Sequence, residues 1–205
     1  MRKQNGNFLF NTIAPVYGLF YQKQKQRYRE IVRHAVRELN WVGNESILDV
    51  GCGTGALCSV LHEAGFSVTG VDPAQNMLAV AKRQPENEDI RFLQADALER
   101  LPFADKSFDL SIASYVAHGL QKRERMKLYA EMRRITKEKV ILFDYNQNRS
   151  LTTSLVEWLE RGDYFRFIKN PKGEMESCVS EMEKCFSEVR VIDVDKRAAW
   201  YVCTP

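Results

Sequence analysis

The sequence has little material for metal or disulfide chemistry. Its 205 residues hold three histidines and five cysteines, Cys52, Cys58, Cys178, Cys185 and Cys203. The cysteines are odd in number, form no Cys-x-x-Cys pair and fall in strand, helix or glycine-loop contexts. They fit reduced thiols of a cytoplasmic protein and argue against a disulfide framework. With so few histidines, no metal site is expected. No apolar run approaches the ~20 residues needed to cross a bilayer, so no membrane span is expected. Met1-Arg2-Lys3-Gln4-Asn5-Gly6 leads into too short an apolar stretch for a secretion signal. Repeats, low-complexity tracts and composition shifts are missing too, so a single domain over residues 1–205 is expected. An excess of one charge is also missing. The formal net charge is +3, which gives the chain no general affinity for polyanions. The imbalance is local: residues 1–40 carry Arg2, Lys3, Lys23, Lys25, Arg27, Arg29, Arg33 and Arg37 against Glu30 and Glu38. Such a helix can bind nucleic acid, but a solvated helix face is the commoner explanation, so nucleic acid is a possible partner and not the favoured one.

One stretch organises what is present. Ile47-Leu48-Asp49-Val50-Gly51-Cys52-Gly53-Thr54-Gly55 runs from a buried-strand pattern into alternating glycines, and a helical pattern begins at Ala56. Glycine reaches backbone angles closed to other residues and lets a ligand lie against the main chain. The turn is expected to aim the free N–H groups of the next helix into the crevice above the strand ends, where open α/β sheets bind ligands. Gly51-x-Gly53-x-x-Ala56 followed by Asp72 satisfies a loose dinucleotide fingerprint. Asp49 is awkwardly placed beside a pyrophosphate, however, and suits a cationic sulfonium or ammonium group better. Asp96 ends the third strand pattern, where it could meet the exocyclic amine of adenine. The chain is also too short for a separate dehydrogenase substrate domain.

With Asp49, the glycine triplet, Asp72 and Asp96 in register, the sequence resembles the class I S-adenosylmethionine-dependent methyltransferases over roughly Asn7 to Asp144. The resemblance implies a Rossmann-like α/β fold: a seven-stranded, mostly parallel sheet with one antiparallel strand and helices on both faces. It implies S-adenosylmethionine as cofactor, with S-adenosylhomocysteine as product. Its cofactor-binding positions fall on Asp49, Gly51, Cys52, Gly53, Asp72, Pro73, Met77, Asp96, Ala97 and Ser114. Asp72 would take both ribose hydroxyls, since a carboxylate accepts two parallel hydrogen bonds. Met77 would pack on adenine or simply fill the core. Asp96 would accept from the adenine amine, with the Ala97 amide nearby, or cap the turn at Ala97–Arg100.

Phe10-Asn11-Thr12-Ile13-Ala14-Pro15-Val16-Tyr17 is similar to the Phe-x-x-x-Ala-x-x-Tyr leader of ubiquinone/menaquinone-biosynthesis-type methyltransferases. There it belongs to a lid, which makes Tyr17 a candidate at the reacting centre. Gly18 and Asn11 stand where that group usually or frequently has Asp. Phe8, Phe10 and Tyr17 could equally anchor the N-terminus on the core. After the fourth strand pattern, Phe108 to Ser114, the chain reads Ser114-Tyr115-Val116-Ala117-His118. It lacks the (Asn/Asp)-Pro-Pro-aromatic motif of enzymes methylating base amines or glutamine, and the Pro-Cys of cytosine C5 enzymes. Val116-Ala117-His118-Gly119-Leu120 instead resembles the apolar-His-x-Leu run of the small-molecule group, which implies a small-molecule acceptor. Tyr115 borders the methyl position in that fold. His118, with an ordinary pKa near ~6.5, could take a proton from a hydroxyl or thiol, or merely order its loop.

The remaining elements expected are a helix over about Leu19–Leu39 closed by Asn40 and Gly43, a helix from Ala56 to about Ala64, and a second strand Ser67–Asp72 with Pro73 starting the next helix. A third strand Ile90–Ala95, a helix Lys122–Ile135 and a fifth strand Lys139–Tyr145 follow. An aromatic substrate cover (a helix at Leu151–Leu159 with Trp158, then Tyr164–Ile168), a helix Glu174–Lys184 and a closing hairpin turned at Asp195-Lys196 complete the chain. Residues 1–43 would be lid and helix, 44–145 the cofactor-binding core and 146–205 the cover and hairpin. Three rivals remain: an RNA or protein methyltransferase, a non-catalytic S-adenosylmethionine-binding module, and a dehydrogenase. Oligomeric state is not legible.

Overall fold

In a computed structural model of the chain, the apolar run before the glycines is β1 (Ser46–Val50), and β2 (Ser67–Asp72) and β3 (Arg91–Gln94) lie beside it in parallel. The structure describes residues 3–39, 41, 43–146, 171–195 and 198–205, with the side chains of 3–7, 171–176 and 195 left aside. The sequence-predicted helix at Leu151–Leu159, the Tyr164–Ile168 cluster, Asn40 and Lys196 lie outside those residues. The strands form one seven-stranded sheet in the order β3-β2-β1-β4-β5-β7-β6. Two compact units divide the chain, Met1–Asp96 with Phe108–Leu110, and Ala97–Ser107 with Ser111–Pro205.

The first unit begins with a finding the leader did not announce: residues Lys3–Leu19 are a helix, α1, with Pro15 inside it. Leu9, Ile13, Ala14 and Tyr17 recur at helical spacing, and this face meets Ala74, Met77 and Val80. Phe8 is 73% exposed and Phe10 39%, so the anchoring expected of those two rings falls to Ile13 and Ala14. Next come α2 (Tyr21–Glu38), α3 (Ala56–Glu63) and α4 (Gln75–Lys82). Pro73 does not open α4; Ala74 is its N-cap. The Ala74 N–H is already taken by the Asp72 carboxylate at 2.7 Å, and Asn11 of α1 accepts from the Asn76 N–H at 2.8 Å. A neighbouring helix thus supplies the cap that the local sequence lacks.

The basic face of α2 is partly neutralised within the unit. Lys25 is 3% exposed, 2.6 Å from Glu63 and 2.7 Å from Glu86. Arg29 meets Glu63 at 3.1 Å. A buried ammonium needs such partners, because an unpaired charge there is costly.

The second unit holds most of β4 (Phe108–Ser114), then α5 (Lys122–Ile135), β5 (Thr136–Tyr145), α6 (Pro171–Cys185), β6 (Glu188–Asp195) and β7 (Ala198–Thr204). A capping box between Gln121 and Glu124 starts α5. Its end passes directly into β5, three residues earlier than the sequence suggests. The buried Thr136 hydroxyl makes the join, 2.6 Å from the Met132 carbonyl and 2.7 Å from the Ser111 hydroxyl. β7 runs antiparallel to both β5 and β6. A buried two-pronged pair ties α5 to α6, Arg125 Nε and Nη2 donating to Glu181 at 2.7 and 2.9 Å.

Candidate functional site

Each unit carries a group of residues with chemistry to offer. In the first, the turn after β1 puts Gly51, Gly53 and Gly55 at φ 73°, 53° and 78°, the left-handed region that only glycine enters readily. At Gly55 a Cβ would stand 2.9 Å from Asn87 Nδ2 and 3.0 Å from Ala81 Cβ. At Gly53 it would meet nothing within 4 Å. Gly55 is therefore set by packing, whereas Gly53 leaves an open face over the main chain.

The amides of the turn itself are engaged. The N–H groups of Gly51 and Cys52 both donate to the Val71 carbonyl, at 2.8 and 3.0 Å, and that of Gly53 donates to Asp72 at 2.9 Å. A diphosphate would find these donors spent and carboxylates beside it. A ligand bearing hydroxyls and positive charge fits the same surface.

Asp72 is the hub. One carboxylate oxygen holds Gly53 and the other holds Ala74, so it pins the glycine turn and the approach to α4 together. Burial pushes its pKa up to about 6, opposed by those two backbone donors and reinforced by the charge of Asp96. Asp49 is 1% exposed. Its Oδ2 accepts from the Cys58 thiol at 3.1 Å, while Oδ1 is buried with no hydrogen-bond partner. Burial raises Asp49 to about 7 and the Cys52 thiol to about 11, and it pushes the Cys58 thiol well above its ordinary value, so both cysteines stay protonated. An orphaned carboxylate oxygen on the residue two before the glycine turn is a fit to the cationic end of S-adenosylmethionine.

Of the other expected contacts, Met77 is buried among Ile13, Ala14 and Ala74, and Tyr17 lies half-buried against that cluster. Cys52 and Ala97 are buried. Asp96 and Ser114 are half-buried, and Pro73 stands between Asp72 and the α4 cap.

These two acids fix a pH dependence. Their folded pKa values lie above the ordinary 3.8, so protonation favours the folded chain. Their contribution is fully present below about pH 4 and is lost as pH rises through 6 to 7. A cationic ligand acts the other way, because it favours the ionised carboxylates. We expect the cofactor-free chain to melt at a higher temperature at about pH 5.5 than at about pH 8. The S-adenosylmethionine-induced rise in Tm should grow over the same interval, and differential scanning fluorimetry at both pH values measures the two trends.

In the second unit, β4 ends at Ser114 and Tyr115 follows with φ 55°. A bulky side chain rarely adopts that region, and such strain concentrates at working sites. The Tyr115 N–H donates to the Phe143 carbonyl at 2.8 Å. Its ring lies 4.9 Å from Phe143 and 5.1 Å from Tyr145. His118 sits in the short turn Ala117–Gly119, its ring 4.9 Å from that of Tyr145. Its Nδ1 is 2.9 Å from Asp144 Oδ1, and its backbone N–H donates to Asp144 Oδ2 at 3.1 Å. The two side chains are 7% and 4% exposed. With Nδ1–H held by the carboxylate, Nε2 is the basic nitrogen of the ring. Asp144 was not singled out from the sequence; its only signal was an acid closing the apolar run Val140–Phe143.

Comparison with known proteins places the chain in a family. The methyltransferase-domain family matches residues 47–139. The chain is 30% identical over 190 residues to an uncharacterized methyltransferase of Bacillus licheniformis, covering 87% of this chain and 86% of that protein. It is 37% identical over 134 residues to demethylmenaquinone methyltransferase of Renibacterium salmoninarum, with 63% of this chain and 53% of that enzyme covered. The chain spans about half the length of such curated relatives. Among solved structures, a Methanococcus maripaludis protein assigned as an S-adenosyl-L-methionine-dependent methyltransferase superposes with a TM-score of 0.72. Its identity is 18%, over 95% of this chain and 92% of that one; at that identity the shared property is the fold.

Proposed function

Because the chain belongs to the class I S-adenosylmethionine-dependent methyltransferases, we propose that it methylates a small-molecule acceptor at a hydroxyl or thiol, with His118 as the base. The buried His118–Asp144 pair among the rings of Tyr115 and Tyr145 carries this reading. A neutral imidazole oriented by a carboxylate serves acceptors that must lose a proton. Demethylmenaquinone methyltransferase, among the relatives, is named for a small-molecule substrate. The basic helix α2 gives less support to an RNA acceptor, since Lys25 and Arg29 are engaged by Glu63 and Glu86.

Asp72 would bind the ribose hydroxyls of the cofactor, Asp96 the adenine amine and Asp49 its cationic end, with Gly51, Cys52 and Gly53 as the surface it rests on. When bound, S-adenosylmethionine supplies an electrophilic methyl on sulfur and leaves as S-adenosylhomocysteine. His118 Nε2 accepts the acceptor's proton and returns it to solvent. Asp144 keeps Nδ1 protonated and stabilises the imidazolium that forms. Tyr115 and Tyr145 limit the water around the pair, and holding the reactants aligned accounts for much of the rate, up to about 7–11 kcal/mol in favourable systems.

Incubating the chain with methyl-labelled S-adenosylmethionine and pools of phenols, thiols, amines and carboxylates tests the reading. The expected result is labelled product from the hydroxyl or thiol pools, together with S-adenosylhomocysteine. Cofactor binding without S-adenosylhomocysteine from any pool contradicts it and leaves a non-catalytic binding module.

A further inference from the structure

Six large apolar side chains stand exposed among the described residues, and five of them, Phe8, Phe10, Val16, Leu19 and Phe20, fall within one short stretch. Of these, Phe8, Val16 and Leu19 do not belong to the face of α1 that packs on α4. Phe8, Thr12, Pro15, Val16 and Leu19 follow each other at helical spacing on the opposite side, and all are exposed. A helix apolar on both faces is ordinarily buried on both, and a contiguous exposed apolar stripe marks a surface that something else covers.

The chemistry of the stripe narrows what that is. Leu19 is 82% exposed and Phe8 73%, so the two longest projections stand at the ends of a stretch about 16 Å long, at roughly 1.5 Å per residue. Its one hydroxyl, on Thr12, donates back to the Phe8 carbonyl at 2.8 Å and brings no unpaired donor into an apolar medium. No acidic residue occurs in positions 1–29. Arg2 and Lys3 precede the stripe, and the exposed Lys23 and Arg27 follow it. An apolar stripe flanked on both sides in the sequence by cations, with no carboxylate among them, matches the chemistry of an anionic lipid surface, whose headgroups take cations and whose interior takes rings and aliphatic groups. No helix among the described residues is long and apolar enough to cross a membrane, so the contact would lie in the plane of the surface.

We propose that the outward face of α1 docks the chain onto anionic membrane surfaces. The proposal does not depend on the identity of the methyl acceptor.

Sedimentation of the full chain with phosphatidylcholine vesicles, with and without one part in four of phosphatidylglycerol, tests it. The chain should pellet with the anionic vesicles and much less with the neutral ones, and rising salt should release it. The double variant Phe8→Ser/Leu19→Ser should lower the partition coefficient about tenfold or more, while its S-adenosylmethionine affinity stays that of the parent. Three results would overturn the proposal. The parent could stay in the supernatant with anionic vesicles, or the double variant could pellet equally well. Sedimentation velocity could also show a dimer of the parent, dissolved by the double variant, in place of any vesicle binding; the stripe would then serve a second copy of the chain.

Discussion

Replacing Asp72 by alanine is expected to weaken S-adenosylmethionine binding about 100-fold or more, the loss of two charge-assisted hydrogen bonds at about 1.5–3 kcal/mol each. The same carboxylate pins Gly53 and Ala74, so its removal also frees the surface on which the cofactor would rest. Stability should change far less than affinity. Two backbone N–H groups lose their partner, but a carboxylate that burial holds up to about 6 is no longer buried, and these effects oppose each other. Asp72→Asn separates the contributions. It keeps the shape and one acceptor but turns an amide donor towards a backbone N–H, so it too should bind poorly while melting near the parent. Isothermal titration calorimetry reads the affinity and thermal melting the stability. An affinity within about threefold of the parent in both variants would remove Asp72 from the site.

The second large effect is expected at Asp144, which in the proposed mechanism acts through His118. In Asp144→Asn the amide oxygen can still accept from the His118 backbone N–H, but the amide nitrogen faces Nδ1 as a donor. The imidazole then carries its proton on Nε2, the atom meant to receive one. Turnover should fall about 10²–10⁴-fold, the usual range for losing a positioned base, with S-adenosylmethionine affinity unchanged within about twofold. The acid limb of the pH–rate profile, which reports the base, should move or disappear. Combining the change with His118→Ala should cost little beyond either alone, because residues acting as a unit are not additive. A parent-like pH profile, or a double variant whose losses multiply, would reduce Asp144 to a structural tie.

Much of the fold can be read along the chain because buried parallel strands are apolar runs with sharp ends. Ser67–Asp72 and Lys122–Ile135 stand where the pattern places them. The acids and glycines of the proposed cofactor surface are legible for the same reason, since each sits at or near the end of a strand pattern. What stayed hidden depends on residues far apart in sequence. His118 and Asp144 are 26 positions apart and come together only because the turn after β4 packs on β5. The cap on α4 comes from Asn11, 65 residues away, so Pro73 alone suggested the wrong start. In α1 the outward Phe8, Val16 and Leu19 blur the period of the inward Leu9, Ile13 and Tyr17, and Pro15 reads as a break although it is accommodated. The Lys25 ammonium looks like part of a solvated basic face until Glu63 and Glu86 are seen around it.

The most direct test of the cofactor assignment is a crystal structure of the chain grown with S-adenosylhomocysteine. The ribose hydroxyls are expected on the Asp72 carboxylate, the amino acid end on the Asp49 side of the turn, and the ligand against the open face of Gly53. Ligand density elsewhere in the chain, or a turn in which Asp49 and Asp72 touch no part of the ligand, would contradict it.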